Sequence, residues 1–464
     1  MNMSFNYTLL ILFLLQIVPS NANGGKLQRI GSIQFVPNIN GTDSTGASDV
    51  WGWTGPDSTE YAIMGIAAGV AIINTNIMEV VSIVPGPAKP GGPAHRDIKT
   101  YRNYAYVVNE NTGVNEGLMI IDLKFLPDSA VFIRSIPIDT VGGFRSHNLS
   151  IDTSKGFAYI EGHLPGVLSI FDLSDPENPT YVAEFPNNGF KIHDLYARND
   201  TLYIAEAGFP SFSIWDLTNK IMPKLLVRKQ VSEAGFVHNV WPTDDGKYLL
   251  STQEAPDITV KMWDISNLIA DSIKIVGEWL GTSRLAHNVH VKGNYAYVSH
   301  YESGIHVLDI SDPENIFENA SFDTYLQSDN EAFNGAWGVY PYTQNGTVFV
   351  SNIEGRLDVF EFDSSAVITA IDYSPLLKQP LLVNNYPNPF NPTTTIEFYL
   401  PQSAEVKLSV YNLSGQLIQT LLDEHLSSGT YSPIWSGANV ASGLYFYRLQ
   451  TNNAVTTGKM VLVK

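Results

Sequence analysis

The 464-residue sequence contains no cysteine. That absence excludes a disulfide framework, thiol catalysis and thiolate metal sites. Long apolar runs are missing too: the stretch Leu9–Val18 has ten residues, against the roughly 20 that a membrane-spanning helix needs. Basic side chains are scarce, with 27 Lys and Arg against 46 Asp and Glu and a net charge of −19. A surface of that sign repels phosphate backbones and anionic headgroups, so nucleic acid and membrane surfaces are not expected partners. Residues 374–464 hold five basic and four acidic side chains, so the acidity lies upstream of them. No Walker loop, no G-x-S-x-G elbow and no H-E-x-x-H is present, which removes the commonest phosphate-binding, serine-hydrolase and zincin signatures.

What the chain does have is β-forming and turn-forming residues. Hydrophobic residues make up 44%, with 23 Tyr and 22 Phe, beside 36 Gly and 26 Pro. That mixture favours many short strands joined by tight turns. The length suits one large domain and a smaller one.

Ala286 to Asn315, AHNVHVKGNYAYVSHYESGIHVLDISDPEN, sets the pattern: a His-Asn pair, then three alternating runs separated by turns. Copies begin at His95, His147, His193, His238 and His287, with degenerate ones at Trp51 and Trp337. The intervals from Trp51 to Trp337 are 44, 52, 46, 45, 49 and 50 residues. A period of roughly 40–50 residues with about four strands per unit is the signature of a propeller. We therefore expect an all-β chain: a seven-bladed β-propeller over 23–363, with Ile30–Val36 as the outer strand of the last blade. A linker over 364–380 and a small immunoglobulin-like β-sandwich over 381–464 follow, the latter from short alternating strands between turn signals.

The segments GIHVLDISDPEN and LSIFDLSDPENP resemble LVIVD-type repeats. DVWGW, EYAIMGIAAGVAIIN, HRDIKTYRNYAYVVNE and GLMIIDL are similar to the choice-of-anchor B family of secreted bacterial propellers, over roughly residues 30–362. No activity follows from that likeness. The tail, with YPNPFNP, VYNLSG, SGLYFYRL and a Lys-bearing last strand, resembles the type A C-terminal sorting domain of the type IX secretion system. The resemblance implies that residues 381–464 meet the secretion machinery and direct passage across the outer membrane of a Gram-negative-type bacterium. The tail would then be removed, leaving the protein released or on the cell surface. The start of the chain agrees. Leu9–Val18 is followed by small residues at Ser20 and Ala22, the −3 and −1 positions of a signal peptide over 1–22, although Met1–Thr8 carries no Lys or Arg.

Candidate chemistry lies in the repeats. His95, His147, His193, His238 and His287 hold one repeat position, and Glu110, Glu161, Glu206, Glu254 and Glu302 follow them by 13 to 16 residues. Glu354 follows Trp337 by 17. If the position precedes the innermost strand, these groups ring one mouth of the channel and could hold a divalent metal ion. The stronger reading is that they are structural hydrogen-bond nodes, since five histidines on a ring cannot all reach one ion. Symmetry argues against catalysis, because acid and base need unlike surroundings, and no catalytic residue is assigned. Arg96, Asp97, Arg145, Trp51 and Trp53 break the symmetry and are the candidates for binding an unknown extracellular ligand, including a glycan on the two tryptophans. Asp122, Asp172, Asp216, Asp264 and Asp309 close the third strands and are expected to accept turn N–H groups rather than bind calcium. The expected function is an exported binding or scaffold propeller; the rival is a metal-dependent, lactonase-like hydrolase using the His/Glu ring.

Overall fold

The computed structural model describes residues 25–35, 46–87, 95–162, 166–187, 190–207, 209–231, 235–281, 285–328, 330, 332–364, 381–400, 404–413, 416–427, 429–451 and 455–464, together with Leu9–Leu10. The expected signal peptide lies outside them apart from Leu9–Leu10, which pair with Gln34 and Phe35. The expected linker lies outside them apart from Ser364. The chain divides into two compact units, Met1–Val367 and Ile368–Lys464. Among the described residues no helix is long and apolar enough to cross a membrane.

The first unit is a seven-bladed propeller of antiparallel sheets. The first strands of the blades are, in order, Ala47–Thr54, Arg96–Tyr101, Leu149–Asp152, Lys191–Arg198, Val237–Pro242, Val289–Lys292 and Ala336–Tyr340. Each touches the next, and the last touches the first. That cycle places the first strands at the hub. Burial follows from it. Middle strands such as Tyr104–Asn109 and Gly69–Asn74 are buried throughout, because neighbouring blades cover both faces. Outer strands such as Val131–Ile136 are only half covered. Seven apolar clusters fill the gaps, one between each pair of adjacent blades. A lone sheet could not bury both its faces; the ring does it for all seven.

The ring closes as expected. Lys26–Phe35 pairs antiparallel with Arg356–Asp363 and completes the seventh blade. Its side chains enter two clusters, Leu27 between blades 6 and 7 and Ile33 between blades 7 and 1.

The third-strand aspartates do turn chemistry. Asp122, Asp172, Asp216, Asp264 and Asp309 each accept the N–H of the residue two places on, at 2.7–2.9 Å. Asp175 and Asp312 repeat the device one turn later.

The second unit pairs two four-stranded sheets around one core containing Phe390, Phe398, Trp435, Tyr445, Tyr447 and Met460. Its YPNPFNP segment is a clasp. The Asn388 side chain donates to the Lys459 carbonyl at 3.0 Å and accepts the Val461 N–H at 2.9 Å, tying the first turn to the last strand.

Candidate functional site

The five repeat histidines converge. Ring centroids are 5.8 Å apart for His95–His147, 4.6 Å for His147–His193, 4.5 Å for His193–His238 and 4.2 Å for His238–His287. Trp337 completes the circle, 4.3 Å from His287 and 4.9 Å from His95. Six rings thus gird one mouth of a seven-bladed hub. Three of them, His193, His238 and Trp337, are the extra residues of β-bulges in their innermost strands. A bulge turns one side chain out of the pleat, which is how a strand residue comes to face the mouth.

The seventh position corrects the sequence register. The expected partner was Trp51. In blade 1 the pairing irregularity instead falls at Ser48–Asp49, and Ser48 uses its hydroxyl on the backbone of Arg96, accepting from N at 3.0 Å and donating to O at 3.1 Å. Trp51 lies further along the strand, against Tyr340 at 5.0 Å and His290 at 5.7 Å. There an aromatic group with Trp241, Tyr196 and Tyr342 packs the other end of the hub. Trp53 is buried, tilted against Tyr61 with its Nε1 donating to the Arg102 carbonyl at 2.9 Å. Neither tryptophan is an exposed platform for a sugar, because inter-blade packing consumes both.

Arg96 is buried between blades 1 and 2, with its guanidinium on the carbonyls of Ile66 and Pro87. Burial lowers its pKa to about 10, so it remains cationic at neutral pH. Arg145 is on the surface. Asp97 faces inward, paired with Lys99 and accepting the Leu149 N–H at 2.7 Å. Lys99 also reaches Asp49 at 3.5 Å and lies over the Trp51 ring at 4.4 Å. Burial, outweighing the attraction of Lys99, raises Asp49 well above the usual carboxylate range, and burial lifts Asp194 to about 6. These groups line a chamber of about 40 Å³ beneath the histidines, space for a few waters at most.

The carboxylates separate into two kinds. Glu110 accepts a hydrogen bond from His147 Nδ1 at 2.7 Å. Glu161 lies beside the same imidazole. Glu254 lies 4.0 Å from both His238 Nε2 and His287 Nε2, and Tyr301 donates its hydroxyl to it. Glu206 and Glu302 do not join this ring. Glu206 is fully buried on Arg228, and Glu302 anchors a loop through Ser328, the Asn330 N–H and Asn334. The repeat brought all five to one sequence position, but the partners available at each blade decided which face it.

The histidines differ electrostatically as well, against the expectation of uniform surroundings. Burial pulls His147 down, but the Glu110 hydrogen bond and the charges of Glu161, Glu110 and Asp194 outweigh it and hold the imidazole at about 9. Burial, then the Trp337 carbonyl acting the other way, leaves His287 at about 3. Burial and the neighbouring histidines push His193 and His238 well below the ordinary value. One charged imidazole therefore stands beside neutral ones at neutral pH.

Glu161 supplies a pH test. Burial raises it to about 7 from an ordinary 4.5, against the lowering charges of His147 and Lys191. A folded-state pKa above the unfolded one contributes stability that is full below about 4.5 and lost as pH rises through about 7. Glu161→Gln is therefore expected to gain on the wild type between those pH values in melting temperature. Parallel Tm–pH curves for the two proteins would contradict this.

Above the ring opens a cavity of about 620 Å³. Besides His95, His147, His193, His238, Glu254 and Trp337 it is lined by Tyr301, Tyr325, Gln327, Phe333, Asn334, Ile353 and Glu354. Trp337 and Glu354 were legible from the repeat. Tyr325, Gln327, Phe333 and Asn334 come from the long connection into blade 7, which has no repeat pattern to betray it.

Comparison with known proteins agrees with this architecture. Residues 91–124 and 283–324 match the LVIVD repeat model, and these segments fall on blades 2 and 6. Residues 384–464 match the secretion system C-terminal sorting domain. The chain is an LVIVD-repeat propeller that ends in a sorting domain. That domain indicates type IX secretion to the cell surface or the extracellular space. Among solved structures, this chain is similar to the computationally designed Ika8 protein, at 9% identity and a TM-score of 0.47. The match covers 69% of this chain and 98% of that one. No curated protein matches the sequence.

Proposed function

We propose that the propeller is an exported binding protein that takes its ligand in the channel mouth. The observation that supports this most is the cavity of about 620 Å³ over the six-membered ring, within the range of small-molecule sites. Its walls combine flat aromatic faces, Tyr301, Tyr325, Phe333 and Trp337, with amides and carboxylates, Gln327, Asn334, Glu254 and Glu354. Aromatic faces beside such hydrogen-bonding groups suit a polar, ring-bearing ligand such as a sugar. In this reading a signal peptide over 1–22 and the tail over 381–464 deliver the propeller of 23–363 past the outer membrane of a Gram-negative-type bacterium. It is then a member of the choice-of-anchor B propellers.

The test has two arms. In a type IX-competent host, a chain ending at residue 363 is expected in the periplasm, whereas the full chain reaches the medium or cell surface. On a glycan array, Tyr325→Ala with Phe333→Ala is expected to weaken capture at least ~10-fold, the scale of losing central aromatic contacts. Capture unchanged by the double substitution, or an array with no bound glycan, would count against the mouth as a sugar site. Hydrolysis by a metal-activated water is the second reading. One observation favours it, the approach of His193, His238 and Glu254 to a common point, and turnover of simple lactones with added Zn²⁺ checks it.

A further inference from the structure

We propose that His193, His238 and Glu254 form a site for one divalent transition-metal ion, open toward the channel mouth, where the ion presents itself to oxygen donors of the ligand. The last clause rests on the mouth being the ligand site; the metal site itself does not.

The donors come from adjacent blades. His193 is the bulge residue of blade 4, His238 that of blade 5, and Glu254 follows the second strand of blade 5. One ligand atom from each lies within 4.8 Å of the others. Two imidazoles and a carboxylate at bonds of about 2.0–2.2 Å around a tetrahedral ion would lie roughly 3.4 Å apart. Small side-chain rotations close that gap.

Unsatisfied atoms point the same way. Among the described residues His193 Nε2 and His238 Nδ1 are buried without a hydrogen-bond partner, and so is His287 Nε2. The His287 case fixes the sign of what is missing. Its Nδ1 lies 2.7 Å from the Trp337 carbonyl. A carbonyl only accepts, so Nδ1 carries the proton and Nε2 is a bare lone pair. That lone pair lies 4.0 Å from a Glu254 oxygen, as does His238 Nε2. A bare imidazole nitrogen facing a carboxylate oxygen calls for a cation between or beside them. The chemistry of the donors selects its class: imidazole with a carboxylate suits zinc, copper, nickel or iron, and the absence of cysteine argues against thiophilic ions. The Tyr301 hydroxyl, donating to Glu254, orients the carboxylate from behind. Of the other imidazoles, His147 is held by Glu110, His95 packs on Trp337 at 4.9 Å, and His287 commits its Nδ1 to the Trp337 carbonyl while its Nε2 faces Glu254.

Three protein donors leave an open coordination position, and His193, His238 and Glu254 all line the mouth cavity.

The test uses the full chain, made without a polyhistidine tag, stripped with chelator and titrated with Zn²⁺ or Co²⁺ alone. We expect about one equivalent bound and, with Co²⁺, visible ligand-field bands. Glu254→Gln and His193→Ala are each expected to weaken binding at least ~100-fold, since each removes a ligand outright. His95→Ala, on the same ring but outside the cluster, is expected to stay within about 3-fold of the wild type. Should His193→Ala fail to fold by circular dichroism, the near-isosteric Glu254→Gln decides the matter. The proposal falls if the wild type binds well under one equivalent, if Glu254→Gln binds like the wild type, or if His95→Ala loses as much as Glu254→Gln. Glycan capture read on both the stripped and the metal-loaded protein separates the two ideas. Capture without metal binding sinks the ion and leaves the mouth standing. Stoichiometric metal with no captured glycan does the reverse.

Discussion

Removal of Lys26–Phe35 is expected to abolish cooperative folding of the propeller. The strand supplies the whole outer edge of blade 7, and its loss leaves Arg356–Asp363 with an open row of N–H and C=O groups. It also empties two inter-blade clusters at once, of Leu27 and Ile33. Loss of a buried Leu or Ile side chain costs roughly 2–5 kcal/mol each. Polar anchors go with it: Asp358 is fully buried and accepts from Ser32 Oγ at 2.7 Å and Arg29 at 3.3 Å. Set against the roughly 5–15 kcal/mol that holds a typical domain together, the combined loss is decisive. Urea denaturation and limited proteolysis of the shortened chain provide the measurement. A sharp urea transition with a midpoint close to the wild type's would show that the six complete blades hold without their closure. The point variant Ile33→Ala gives a graded version, about 2–5 kcal/mol.

Arg228→Met is expected to cost about 3–5 kcal/mol, because it strands a buried carboxylate. Glu206 is fully buried. It receives Arg228 Nε at 2.9 and 3.0 Å and Nη2 at 2.9 Å, with Ser213 Oγ at 2.6 Å and Asn187 Nδ2 at 2.9 Å. The guanidinium also lies 3.8 Å over the Phe190 ring. Methionine keeps much of the packing and none of the charge. The double variant Arg228→Met with Glu206→Leu removes both charges and is expected to recover part of the loss. Chemical denaturation of the two single variants and the double closes the cycle. An Arg228→Met protein as stable as the wild type would overturn this reading of the pair.

Much of this fold can be read from the chain because one rule repeats. The His-Asn pairs, the alternating runs and the third-strand aspartates recur at a nearly constant interval, and each does in space what its local chemistry requires. The aspartate turns and the closing strand are cases where residue type and pattern suffice. The site is less legible for identifiable reasons. Trp51 mimicked a repeat residue, but a bulge at Ser48–Asp49 shifted the register, and bulges leave no reliable mark in sequence. Glu206 and Glu302 shared a position with Glu254 yet went to an arginine and to a loop, since the partner, not the repeat, fixes a carboxylate's direction. The same partners gave His147, His193, His238 and His287 unlike affinities for a proton. The mouth walls at Tyr325, Phe333 and Asn334 lie on a connection with no period at all.

Closure by Lys26–Phe35 also sets an order of events. Lys26–Phe35 leaves the ribosome well before its partner, Arg356–Asp363, which lies more than three hundred residues further on. Until that partner arrives, Leu27 and Ile33 stay exposed and blade 7 keeps a raw edge. Contacts so distant in sequence close late and slowly. The propeller therefore reaches its final form only after nearly all of the chain ahead of the sorting domain has been made, and a helper that shields the waiting strand would act on that interval.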